Sequence, residues 1–236
     1  MAAGALTSIH AAPSSASIGD VLLGFQDAVQ NKDYVVDLGP GSSLSSFSSI
    51  NVGSDLASVF GVNWNSDTNL FYGIFGVASD KSNVWASVLS GNNHLPTKAV
   101  GALGGALSGY TAVINNYNNE LAYQGLTNGV YFNVGSGLDQ GTATWTGNHP
   151  TASGAAAFGT YNASLEGSVS AGNTLDVYQL GNTALAVTGD FTAANGNAIQ
   201  VTSTGTVQAA PEPSSYALIG FGVLLLVVLY RRKVRA

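Results

Sequence analysis

Gly129-Val130-Tyr131-Phe132-Asn133-Val134 opens the part of the chain whose reading decides the fold. Aromatic and β-branched residues bounded by Gly and Asn read as a strand. The pattern recurs at Thr142 to Thr146 with Trp145, Ala155 to Tyr161, Thr174 to Leu180, Ala184 to Val187 and Ala198 to Ser203. Gly, Asn and Asp punctuate these runs every 8–15 residues or so. Asn195-Gly196 is the best hairpin-turn signal, with Asp190-Phe191-Thr192 before it and Ile199-Gln200-Val201 after it. The expected class is mainly β, a sandwich or jelly-roll-like domain with one or two short helices.

Working towards the N-terminus, Asp20 to Phe25 and Tyr34 to Gly39 form a predicted hairpin turning at Asn31-Lys32-Asp33. Ser54 to Gly61 reads as a short helix, with Ser54 able to cap it and Gly61 to end it. Leu70 to Ala78 and Val84 to Leu89 read as an antiparallel pair. Ala99 to Ile114 is apolar with Gly101, Gly105 and Gly109 at four-residue spacing. Its glycines and hydroxyls make it a helix packed on the sheet rather than a membrane span. Asn115 to Glu120 is expected to break the chain, and Leu121 to Leu126 to form a further short helix.

Composition bounds the function. The chain has 236 residues, of which 45% are hydrophobic and only 8% charged. The charged share is far below the usual quarter, which suits an extracellular protein and argues against a cytosolic enzyme or a coiled coil. Ahead of the last 26 residues stand three lysines, no arginine and twelve acids, a net charge of −9. Nothing there offers a basic patch to nucleic acid. There is no cysteine, hence no disulfide and no thiolate metal site.

Chemistry leaves few marks. His10, His94 and His149 show no paired spacing for zinc, and no Gly-x-Ser-x-Gly elbow occurs. No cofactor or metal is expected. Glu120, Asp139, Glu166, Asp176 and Asp190 are available as a glycosidase pair, but their spacing selects none. They read as solvated surface and turn positions. Trp64, Trp85 and Trp145 are candidates for stacking on sugar rings, with core packing as the plainer role.

The C-terminus carries the functional signal. Pro211-Glu212-Pro213 precedes an uncharged run from Ser214 to Tyr230, followed by Arg231, Arg232, Lys233 and Arg235. The run is 17 residues long. As a helix it reaches about 26 Å, the short edge of a membrane span. Ten of its residues are Leu, Ile, Val or Phe, so insertion is favoured. The basic flank places the C-terminus in the cytoplasm and the body on the far side.

This order of Pro-Glu-Pro, apolar span and basic end resembles the PEP-CTERM sorting signal, found on exported proteins of Gram-negative bacteria that carry an exosortase. The resemblance covers about a tenth of the chain. It implies passage through export machinery and transient anchoring in the inner membrane. Recognition by an exosortase-type processing enzyme and removal of the tail would follow, with delivery to the cell surface or extracellular matrix, often in an exopolysaccharide setting. In that reading Glu212 is substrate, not catalyst.

The organisation expected is a signal remnant or linker over 1–17, an exported domain over 18–203, a linker over 204–210, and the sorting signal over 211–236 with its transmembrane helix at 214–230. The start of the chain is expected to be either a weak signal peptide or a piece whose true N-terminus lies upstream, the latter favoured. The body is expected to be non-enzymatic, structural or adhesive. The alternatives are a carbohydrate-binding or carbohydrate-active domain, or a permanently anchored single-span protein.

Overall fold

The computed structural model describes residues 14–47, 49–80, 83–90, 103–121, 125–134, 144–148, 166–181 and 192–210. Its ten strands form one antiparallel sheet. They are β1 (Asp20–Asp27), β2 (Lys32–Pro40), β3 (Ser49–Asn51), β4 (Leu70–Val77), β5 (Asn83–Leu89), β6 (Gly129–Asn133), β7 (Glu166–Ser168), β8 (Thr174–Gly181), β9 (Thr192–Val201) and β10 (Thr206–Ala210). Among these residues three α-helices accompany them, α1 (Gly53–Phe60), α2 (Leu103–Glu120) and α3 (Trp145–Asn148). The strand order is β3-β10-β9-β8-β5-β4-β1-β2-β6, with β7 paired to β4. The mainly β expectation holds. The sandwich does not describe these residues, because one sheet carries a core on each face.

Alternation in β1 and β2 builds both cores. Val21, Leu23 and Phe25 of β1 join Tyr34, Val36, Tyr72 and Ile74 on the face covered by Leu56, Val59 and Phe60 of α1. Leu22, Val35, Phe75 and Val77 point the other way, under Tyr110, Val113, Ile114 and Tyr117 of α2 and Trp145 of α3. Each such fully buried apolar side chain contributes about 1.5–3 kcal/mol.

The sheet forks at β4. Phe75, Gly76 and Val77 pair with Ala86, Trp85 and Val84 of β5, whereas Phe71, Tyr72 and Gly73 pair with Ser168, Gly167 and Glu166 of β7. At the fork the Ile74 N–H donates to Ser87 Oγ at 2.8 Å, so a side chain replaces the departing strand. The two ends of the strand order also approach each other. Asn128, just before β6, donates from Nδ2 to the Asn51 carbonyl of β3 at 2.8 Å. Asp55 of α1 bridges this meeting. Its carboxylate accepts from Tyr34 Oη (2.7 Å), the Asn128 N–H (2.8 Å) and the Thr127 N–H (3.1 Å).

Several expectations are corrected. Ser54 lies inside α1, and Asn51 Oδ1 instead accepts the Gly53 N–H at 3.0 Å. Gly61 ends the helix as read, with φ +95 and its N–H on the Ala57 carbonyl. The polar break at Asn115 to Glu120 is the last part of α2. Asn118 there hydrogen-bonds both backbone groups of Ala16 at 2.9 Å, so tertiary contacts override the local signal. Trp145 and Thr146 lie in helix α3, not a strand. Of the short helix expected over Leu121 to Leu126, residues 121, 125 and 126 are turn and loop, and 122–124 lie outside the described residues. Asn195-Gly196 is no hairpin turn. Ala193 pairs Tyr178 and Ala198 pairs Asp176, so residues 194–197 bulge out of β9 opposite the single residue Val177. The expected strands at 155–161 and 184–187 lie outside the described residues.

Residues 204–210, expected as a linker, belong to the fold, since Thr206–Ala210 is β10. No helix among the described residues is long and apolar enough to cross a membrane. The expected span at 214–230 lies outside them.

Candidate functional site

The last strand places the C-terminal motif. After Val201 the chain reverses over residues 202–205, where the Thr206 N–H meets Thr202 Oγ1 at 3.0 Å and the Gly205 N–H meets the Thr202 carbonyl at 2.9 Å. Gly205 has φ +81, and a Cβ there would stand 2.2 Å from Gly53 Cα. Only glycine therefore fits this turn against α1. The Gly205 carbonyl accepts the Val52 N–H at 2.9 Å. β10 then runs between β9 and β3, with Val207 opposite Val201 and Ile50, and it pairs as far as Ala210 opposite Ala198. Pro211, Glu212 and Pro213 follow directly. These three, and the flank Arg231, Arg232, Lys233 and Arg235, lie outside the described residues.

A second group is a buried polar cluster on the α2–α3 face of the sheet. Gly24 of β1 pairs Gly73 of β4, which pairs Glu166 of β7. Two glycines side by side leave a trough, and the Trp145 indole fills it. A Cβ on Gly24 would stand 2.0 Å from that ring. Trp145 Nε1 donates to Glu166 Oε1 at 3.2 Å. Gln26 Nε2 donates to Glu166 Oε2. Thr146 Oγ1 lies 2.9 Å from Gln26 Oε1 and 2.5 Å from Asp33 Oδ1, and the Thr146 N–H donates to Asp33 Oδ2 at 2.8 Å. Asp33 is fully buried. Burial pushes the Glu166 carboxyl up to about 8, against the lowering effect of the Trp145 and Gln26 hydrogen bonds, and the nearby Asp33 raises it further.

Glu166 is therefore not the solvated acid that its sequence context implied. Asp176 is half-buried and accepts from Ser90 Oγ at 3.1 Å. Asp139, Asp190, His94 and His149 lie outside the described residues. The three tryptophans are core side chains, with Trp145 fully buried in one core and Trp64 and Trp85 nearly so in the other. Buried indoles offer no ring face to a sugar. Among the described residues no group of three His, Asp or Glu is placed to hold a metal. Sequence reasoning missed Asp33, Gln26 and Thr146. Asp33 stands in an alternating strand at an inward position, and that was the one signal available.

Under α2 a further carboxyl is perturbed. Burial pushes Asp37 up to about 6, the Gly39 N–H bond lowers it, and Asp20 raises it. Tyr110 donates to the Asp20 carbonyl beside it.

Against known proteins, the family model for the PEP-CTERM protein-sorting motif matches residues 209–233. No curated protein and no solved structure matches the chain. The match begins inside β10, so the sorting motif and the sheet share Ala209 and Ala210.

Proposed function

We propose that this chain, bearing a PEP-CTERM sorting motif at its C-terminus, is an exported protein delivered to the cell surface or extracellular matrix after processing by an exosortase-type enzyme. The observation that carries this reading is the motif at 209–233, ordered as Pro-Glu-Pro, apolar run and basic end. The run 214–230 then serves as a transient span of the inner membrane, with Arg231, Arg232, Lys233 and Arg235 on the cytoplasmic side. The folded body works outside in a structural or adhesive role, without catalysis, in a setting that includes exopolysaccharide. A surface with few charges supports such a role.

Peptide mass spectrometry of the native protein tests this, comparing the membrane fraction with the surface and culture-medium fractions. The expected extracellular form ends near Pro211–Pro213 and lacks Arg231 to Arg235. A tail found intact in all mature protein, and only in membranes, would overturn processing and leave a permanently anchored protein.

A further inference from the structure

Three contacts run in series across the polar cluster. Glu166 Oε2 meets one end of the Gln26 amide, the other end meets Thr146 Oγ1, and Thr146 Oγ1 meets Asp33 Oδ1. Each contact needs one hydrogen. A carboxamide has its NH2 at one end and its oxygen at the other, so it supplies hydrogen to only one of its two neighbours. A hydroxyl has a single hydrogen. With both carboxyls ionised, two hydrogens serve three contacts whichever way the amide is turned. The third contact then sets two oxygens against each other in a buried site, which is costly. One added proton, on either carboxyl, completes the series. If it sits on Glu166, the acid donates to Gln26, Gln26 to Thr146, and Thr146 to Asp33.

We propose that Asp33 and Glu166 jointly hold one proton, and that this proton clasps α3, with Trp145 in its glycine trough, to the sheet. Loss of the proton breaks the series and loosens α3. The raised titration of Glu166, to about 8, agrees with this count and puts the loss in mildly alkaline conditions. Among the described residues the titratable groups around the site are few. Asp33 faces it from β2. Asp20 and Asp37 of the sheet, with Tyr110 and Tyr117 of α2 above them, form a separate group on the same face. Lys32 of β2 is turned away, its Nζ on the Val59 carbonyl at 2.6 Å. His149, which follows α3 in the chain, lies outside the described residues.

The experiment is carboxyl 13C titration by NMR, with amide exchange of Thr146, on the full-length protein from pH 4 to 9. Glu166 should titrate near pH 8, and protection of the Thr146 N–H should fall at least about tenfold as it does. Glu166→Gln supplies the third hydrogen permanently, through an NH2 facing Gln26 and an oxygen facing Trp145. It should fold and keep that protection throughout. Asp33→Asn supplies the hydrogen from the other end, so Glu166 should then titrate below its wild-type midpoint, burial still holding it above the ordinary carboxylate range. His149→Ala should leave the transition in place. A Glu166 titrating normally in the wild type, or no lower in Asp33→Asn than in the wild type, overturns the proposal. So does a Thr146 transition that persists in Glu166→Gln or vanishes in His149→Ala.

Discussion

Because the sorting motif begins inside β10, processing should compete with the sheet. Ala209 and Ala210 pair with Ile199 and Ala198 of β9, and Pro211 follows without a spacer. An enzyme that takes the peptide around Pro-Glu-Pro in extended form must free those two residues first. Two consecutive residues of an antiparallel strand carry one doubly bonded rung. At about 0.5–1.5 kcal/mol net per hydrogen bond, freeing them costs about 1–3 kcal/mol. Backbone entropy regained on release offsets part of this. A working figure of about 1.4 kcal/mol corresponds to a tenfold rate effect. A short Gly-Ser insertion between Ala210 and Pro211 should therefore speed processing about tenfold. It follows the last paired residue, so the unfolding midpoint should not change. The assay is a pulse-chase in the native host, following tail-bearing and processed chains by mass. Equal or slower processing with an unchanged midpoint would refute the coupling and leave the motif independent of the fold.

Asp55→Ala should destabilise the fold by about 4 kcal/mol. It leaves the Tyr34 hydroxyl and the Thr127 and Asn128 N–H groups buried without their acceptor, at about 1–3 kcal/mol each before relaxation. Asp55→Asn keeps one acceptor and should cost about half as much; urea unfolding measures both, and a loss under about 1 kcal/mol in Asp55→Ala would sink the closure argument. Asp37 titrates near 6 in the fold, above its ordinary 3.8, so the folded state holds the proton more tightly. Its stabilising effect is then full below about pH 4 and lost as pH rises through 6, at most about 3 kcal/mol in all. Asp37→Asn should flatten thermal stability between pH 4 and 6 while leaving the higher window belonging to Glu166.

What could be read in advance was local and periodic. β1, β2, β4, β5, β6 and β8 follow from apolar alternation bounded by turn residues, and α1 from its glycine stop. What escaped depended on residues far apart in sequence. Asn115 to Glu120 looks like a break until Asn118 finds Ala16, 102 positions away. Asn195-Gly196 carries turn chemistry, and the chain used it for a bulge because β8 was already in place as a partner on both sides of it. Thr204 to Ala210 lacks the bulk of a typical strand, yet β9 and β3 supply its pairing. The sorting motif was legible because its order along the chain is itself the signal. The polar cluster was not, since Gln26, Asp33, Thr146 and Glu166 meet only through the fold.

The acids show how a chain with so few cations manages charge. Asp27, Asp33 and Asp55 are buried, and their carboxylates accept from uncharged N–H and O–H groups. Asp27 accepts the Val29 and Gln30 N–H groups at the β1–β2 turn, and Asp67 accepts the Asn69 N–H and Gln30 Nε2. A carboxylate offers about four lone-pair sites, so one acid can tie together several backbone segments where a neutral acceptor could tie fewer. In a body with three lysines and no arginine, these acids act as acceptor hubs for neutral donors. Hydrogen bonds within a buried site are screened far less by salt than exposed ion pairs are. A protein built to work outside the cell thereby gains a fold whose electrostatics answer to protons, through Asp37 and the Asp33–Glu166 pair, more than to ionic strength.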